Sequence, residues 1–204
     1  MMFHMSTENE IIKRVRKKWR GTRMKDTYKW GDPEKYNEGL GDYKKILNEY
    51  LLPNIQDKIV IDLGCGPGKW TKYMEEAKLV YAIDIVLEFR RDLKAENIQF
   101  VHSEDGKTFP TIPDNSVDYV FCIDSLVRSS KDIIESYAKE IQRVLKEDGM
   151  MCIHLPCTTK KLSREKGFTK LNTYQIEQMF PECYIDTKTL EHGVLVCMNI
   201  PNTI

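Results

Sequence analysis

Val60 to Trp70 reads VIDLGCGPGKW, an apolar run that breaks into Gly64, Gly66 and Gly68 within five positions. A β-strand opening into a glycine-rich turn lets an α/β protein bring its backbone N–H groups close to a nucleotide. The pattern is GxGxG. The dinucleotide fingerprint GxGxxG would need a third glycine where Lys69 stands, and the phosphate-loop pattern GxxxxGK[ST] is absent. Asp62 precedes the turn, and a carboxylate there repels a phosphate and attracts an ammonium. Asp62 equally suits capping of the segment that follows. The turn thus asks for a nucleoside ligand that carries an ammonium and no phosphate.

From Lys58 onward, strand-like and helical patterns alternate. The strand-like runs are KIVIDL (58–63), LVYAID (79–84), IQFVH (98–102), VDYVFCI (117–123) and MMCIHL (150–155). Their short, β-branched, non-alternating character predicts a parallel sheet covered on both faces. The clearest helix runs from Ser130 to Lys146, with Ile133, Ile134, Tyr137, Ile141, Val144 and Leu145 on one side. A second is expected from Asn172 to Phe180, stopped by Pro181. Two more strand-like runs, 184–190 and 194–200, flank the turn EHG and predict an antiparallel finish. Ahead of the sheet, Thr7 and Glu10 suggest a capping box, and Tyr43, Ile46, Leu47, Tyr50 and Leu51 mark a helix from about Gly41 to Leu52. The expected organisation is a helical extension over 1–55 and one α/β domain over 56–204.

Lys+Arg and Asp+Glu both number 31, so the chain as a whole has no electrostatic preference for nucleic acid or membrane. The balance hides Lys13 to Lys25, KRVRKKWRGTRMK, where eight of thirteen residues are basic and none is acidic. Clustered Lys and Arg with an aromatic suit either a solvated lid helix or an RNA phosphate backbone. No apolar run approaches a membrane span, and the start lacks a secretory pattern. The six cysteines show no CxxC or metal-ligand spacing, so free thiols in a cytoplasmic protein without a metal are expected.

VIDLGCGPGKW, VYAIDI, SEDG, PDNSVDYVFCIDSL and RVLKEDGMMCIHLP resemble, in order and interval, the successive motifs of class I S-adenosylmethionine-dependent methyltransferases of the small-molecule type. The resemblance covers residues 58 to 156 and extends to the C-terminal hairpin. It implies a Rossmann-like, seven-stranded mixed sheet, parallel but for one antiparallel C-terminal strand, with helices on both faces. S-adenosylmethionine fits the ligand that the glycine turn asks for. The resemblance implies Asp62, Gly64, Cys65, Gly66 and Gly68 at its methionine end. It also implies Asp84 and Ile85 at the ribose and adenine, Asp105 and Gly106 at the adenine edge, and Ile123 beside the sulfonium. Two features depart from the family pattern: the connection between Asp84 and Gln99 is short, and the usual LKPGG turn is LKEDG.

The expected activity is transfer of the methyl group to an oxygen or nitrogen of a small-molecule acceptor, leaving S-adenosylhomocysteine. His154, near the end of the fifth strand, is a candidate general base, and Asp124 and Arg128 are candidate acceptor-orienting groups. His102 reads as a sheet residue, and His192 as a turn residue. Trp30 and Tyr36 precede the helix near Gly41 and either close over the ligands or pack the extension. Two alternatives remain: an RNA or protein methyltransferase guided by the Lys13–Lys25 segment, and a cofactor-binding partner subunit without turnover.

Overall fold

A computed structural model describes residues 41–200, together with Lys13, Lys17 and residues 32–34. Trp30, Tyr36 and nearly all of the Lys13–Lys25 segment lie outside the described residues; Lys13 and Lys17 are helical and exposed. Seven strands form one sheet in the order β3-β2-β1-β4-β5-β7-β6. They are β1 (Ile59–Leu63), β2 (Leu79–Asp84), β3 (Ile98–His102), β4 (Val117–Cys122), β5 (Leu145–Leu155), β6 (Tyr184–Asp186) and β7 (Val194–Met198). β1 lies between β2 and β4, parallel to both, so its end falls where the strand order reverses. In open α/β sheets that is where ligands bind. β7 alone runs antiparallel, paired with β5 on one side and β6 on the other.

Side-chain alternation along each strand feeds two apolar layers. On one face Ile61, Val120, Cys122, Met151 and Ile153 meet the helix Lys131–Val144, which buries Ile133, Ile134, Tyr137, Ala138, Ile141 and Val144. That spacing gives an apolar stripe at the helical period. The helix Thr173–Met179 joins the same face; Asn172 and Gln175 close a reciprocal capping box at its start. On the other face Val60, Tyr119, Phe121, Cys152 and Cys197 meet the helical segment that begins at Tyr43. Tyr43, Ile46, Leu47, Tyr50, Leu51 and Ile55 therefore form a layer of the α/β domain itself.

The expected strands appear nearly as read, with informative differences. The Tyr43 segment is α-helical only over Tyr43–Lys45 and widens to a π-helix over Ile46–Leu51. Pro53 explains the widening. A proline ring crowds the carbonyl four residues back, and here the Leu52 N–H instead reaches Leu47 O, five back. β5 starts at Leu145 rather than Met150, because LKEDG is drawn into the strand across an irregular register with β4. β6 stops at Asp186, whose carboxylate turns back to accept the N–H groups of Lys188 and Thr189. The crossovers after β1 and β2 carry only the 3-10 turns Thr71–Tyr73 and Leu87–Arg91.

Candidate active site

The end of β1 and the turn after it are held from β2. Gly64 and Cys65 both donate to Ile83 O, at 2.8 and 3.0 Å. Gly66 N–H donates to Asp84 Oδ2 at 2.9 Å, and Val86 N–H to Asp84 Oδ1 at 2.8 Å. Gly64, Gly66 and Gly68 take φ of +74°, +52° and +89°, where a side chain is strained. At Gly64 a Cβ would also lie 1.7 Å from Ser125 Oγ, since the turns after β1 and β4 touch there. At Gly66 a Cβ would meet nothing within 4 Å, so open space lies above the turn.

Asp62, in β1, is buried and accepts the Thr71 hydroxyl at 2.6 Å. Burial pushes its carboxyl up to about 7; the Thr71 bond opposes that rise and the nearby Asp84 charge adds to it. Burial likewise raises Asp84 to about 6 against the pull of its backbone N–H donors. Two neighbouring carboxylates, one buried and one partly buried, fit a ligand that brings a cation. Among the described residues, no lysine or arginine is paired with either carboxylate. S-adenosylmethionine is a ligand of that kind.

The third carboxylate behaves differently. Asp105 Oδ1 accepts the N–H groups of Lys107 and Thr108, and Oδ2 accepts the Thr108 hydroxyl. Burial raises its pKa, but those donors more than offset this and leave it below the usual carboxylate range. Asp105 thus shapes the turn at the end of β3, where Gly106 takes a φ of +64°. Ile85 carbonyl faces His102 Nε2 at 3.2 Å, which ties His102 to the sheet edge as expected. Trp70 packs on Phe121, 5.1 Å between ring centroids.

A second group gathers at the ends of β4 and β5. Asp124 follows Ile123 in a left-handed conformation, φ +59°, which Asp tolerates better than most residues. Its Oδ1 lies 2.9 Å from His154 Nδ1 and 2.8 Å from His192 Nε2. Its Oδ2 accepts the Tyr43 hydroxyl at 2.5 Å. The contact to Oδ1 requires a proton on His154 Nδ1, because two lone pairs at that distance would repel. Asp124 N–H, 3.3 Å from the same nitrogen, is then a secondary contact. Burial lowers the His154 pKa more than Asp124 raises it, so the ring stays neutral. Burial pushes Asp124 up, but the two imidazole hydrogen bonds outweigh it and hold the carboxyl well below its usual range.

His154 is fully buried, and its Nε2 has no partner. That nitrogen backs onto Gly193, where a Cβ would come within 2.2 Å of it. A general base at His154 would need Nε2 to reach an acceptor; the ring instead anchors Asp124. The His192 ring stands edge-on to His154, 4.6 Å between centroids, and Phe168 packs on its other side. Arg128 lies over the Phe168 ring at 4.8 Å.

Sequence spacing brought Asp124 and His154 together but missed His192 and Tyr43. The signal for His192 was the reversed last strand. In the antiparallel register Leu195 faces His154, so the turn before β7 must fall where β5 ends. Tyr43 looked like one more apolar-face residue. The donor atoms of Asp124, His154 and His192 lie within 4.8 Å of one another, a grouping that could hold a metal ion and that chain spacing did not reveal.

The strand order, the reversal of β7 and a glycine turn flanked by carboxylates at successive strand ends define a Rossmann-like methyltransferase fold. Residues 61–153 match the family described as methyltransferase domain. An S-adenosylmethionine-dependent methyltransferase from Aquifex aeolicus is similar in structure, with TM-score 0.57 and 22% identity over 78% of this chain and 89% of that one. A protein from Sulfolobus solfataricus described as a type 11 methyltransferase gives TM-score 0.53 and 25% identity, over 76% and 94%. Phosphoethanolamine N-methyltransferase 1 of Haemonchus contortus, solved with phosphoethanolamine and S-adenosylhomocysteine, gives TM-score 0.55 and 20% identity, over 74% and 33%. Comparison with curated protein sequences returned no match. No helix among the described residues is long and apolar enough to cross a membrane.

Proposed function

We propose that the chain transfers a methyl group from S-adenosylmethionine to an oxygen or nitrogen of a small-molecule acceptor. The observation that carries this reading is the convergence of two groups on one sheet edge. Asp62, Gly64, Cys65, Gly66, Gly68 and Asp84 form the cofactor cradle at the ends of β1 and β2. Asp124 and His154 form the acceptor side at the ends of β4 and β5. Ile123 lies at the junction, beside the sulfonium; Ile85, Asp105 and Gly106 line the adenine side.

Bound in this cradle, S-adenosylmethionine supplies an already activated methyl group. The protein's work is then mainly alignment, which contributes through proximity and orientation. Asp62 takes the ammonium. The Gly64, Cys65, Gly66 and Gly68 N–H groups are spent on Ile83, Asp84 and Cys65, so the glycine turn serves by keeping side chains out of the space above Gly66. Asp124, held by His154, orients the acceptor. The small-molecule class is supported by the Haemonchus enzyme, whose acceptor is a small phosphorylated amine.

The test is label transfer from methyl-tritiated S-adenosylmethionine into a host extract split into small-molecule, RNA and protein fractions. The expected result is label in the small-molecule fraction. Label in RNA instead would assign the Lys13–Lys25 segment a binding role. Tight binding of S-adenosylhomocysteine with no label in any fraction would make the chain a cofactor-binding partner.

A further inference from the structure

Asp124 is the member of the four-residue cluster that reaches solvent. Its side chain is 16% exposed, against 0% for His154 and 1% for His192. Tyr43 is also fully buried. An acceptor entering the acceptor side therefore meets the carboxylate, and the other three side chains stand behind it. A carboxylate offers about four hydrogen-bond acceptor sites. Tyr43, His154 and His192 fill three of them and leave one, on Oδ2.

We propose that this remaining site takes an N–H of a primary or secondary amine, so that the methyl group goes to nitrogen. The inference rests on the methyltransferase reading and narrows its acceptor. As a neutral amine attacks, its lone pair forms the C–N bond. The carbon–sulfur bond breaks with its electron pair left on sulfur. Nitrogen becomes a cationic ammonium and later releases a proton to water. A fixed anion beside the nitrogen stabilises that growing positive charge. A hydroxyl acceptor has the opposite need, because it must shed its proton, and negative charge builds on oxygen. Asp124 would repel that charge. It is also a poor base for the proton, since three donors already hold it ionised. The network fits a rigid anion better than a metal site. Both imidazoles share one carboxylate oxygen at hydrogen-bond distance, and His154 Nε2 lacks the outer acceptor that a metal-bound imidazole ordinarily has.

The experiment has a binding arm and a transfer arm. In the first, protein saturated with S-adenosylhomocysteine is titrated with trimethylammonium chloride, which carries one N–H, and, separately, with its neutral near-isostere tert-butanol, which carries one O–H. Trimethylammonium should bind at least tenfold more tightly, and Asp124→Asn should remove the preference. Equal affinities overturn the proposal. In the second, tritiated methyl transfer is measured into a small-molecule extract before and after its amines are capped by acetylation. Capping should abolish labelling of the product, and Asp124→Asn should lower transfer into the uncapped extract by about a hundredfold. Transfer that survives capping overturns the amine assignment and leaves the methyltransferase reading intact. Failure of S-adenosylhomocysteine to bind overturns both. Loss of transfer with a chelator, restored by a divalent cation, also overturns the proposal, since Asp124, His154 and His192 would then be ligands. Tyr43→Phe keeps the ring and guards against misfolding of the Asp124 variant. It should weaken the trimethylammonium preference and leave S-adenosylhomocysteine binding unchanged.

Discussion

The Tyr43 hydroxyl donates to Asp124 Oδ2 at 2.5 Å across 81 residues of sequence. The helical segment ahead of the sheet thus completes a cluster otherwise built from the far side of the domain. Tyr43→Phe leaves the partly buried Asp124 carboxylate one donor short, at a cost of about 1–3 kcal/mol. Urea unfolding should show that loss as a lower midpoint with an unchanged slope.

Gly64 and Ser125 make a second linked pair. Gly64→Ala places a methyl group against Ser125 Oγ and Cβ and forces an alanine to positive φ. The variant should lose S-adenosylhomocysteine affinity by at least tenfold, as read by calorimetry. Adding Ser125→Gly removes the clash but not the backbone strain, so it should restore only part of the loss.

Asp62 sets a pH dependence. Its folded pKa of about 7 lies above the ordinary aspartate value of 3.8. The folded state therefore holds a proton that the unfolded state releases between about pH 4 and 7, and stability falls as pH rises through that window. Cofactor binding has the opposite slope, because an ammonium needs the ionised carboxylate. S-adenosylhomocysteine affinity should rise from pH 6 to 8, and Asp62→Asn should flatten the profile.

The cysteines give a simple check on packing. Cys65, Cys122, Cys152, Cys157 and Cys197 are buried, while Cys183 is partly exposed, and all six are free. A bulky thiol reagent should modify one group quickly in the native protein. Modification of the other five should track unfolding.

The strands of the parallel core were legible because a strand buried on both faces reads as a continuous β-branched run, as at Ile59–Leu63 and Val117–Cys122. The edges were less so. Asp186 ends β6 through its own side chain, and LKEDG continues β5 although it reads as a turn. The carboxylates Asp62 and Asp84 were legible because strand ends are local features. The cluster around Asp124 was legible only in part. Its members come together through the sheet order and the reversal of β7, and His192 is 68 residues from Asp124 in sequence.

The same reversal separates two tasks along one edge. On the proposed function, β1 and β2 carry the cofactor cradle, whereas the hairpin between Asp186 and Val194 brings His192 to Asp124 from the opposite flank. Exchanging that short hairpin would change what is methylated while leaving the methyl donor's seat intact. On that reading the hairpin is the first segment to replace when redirecting this chain.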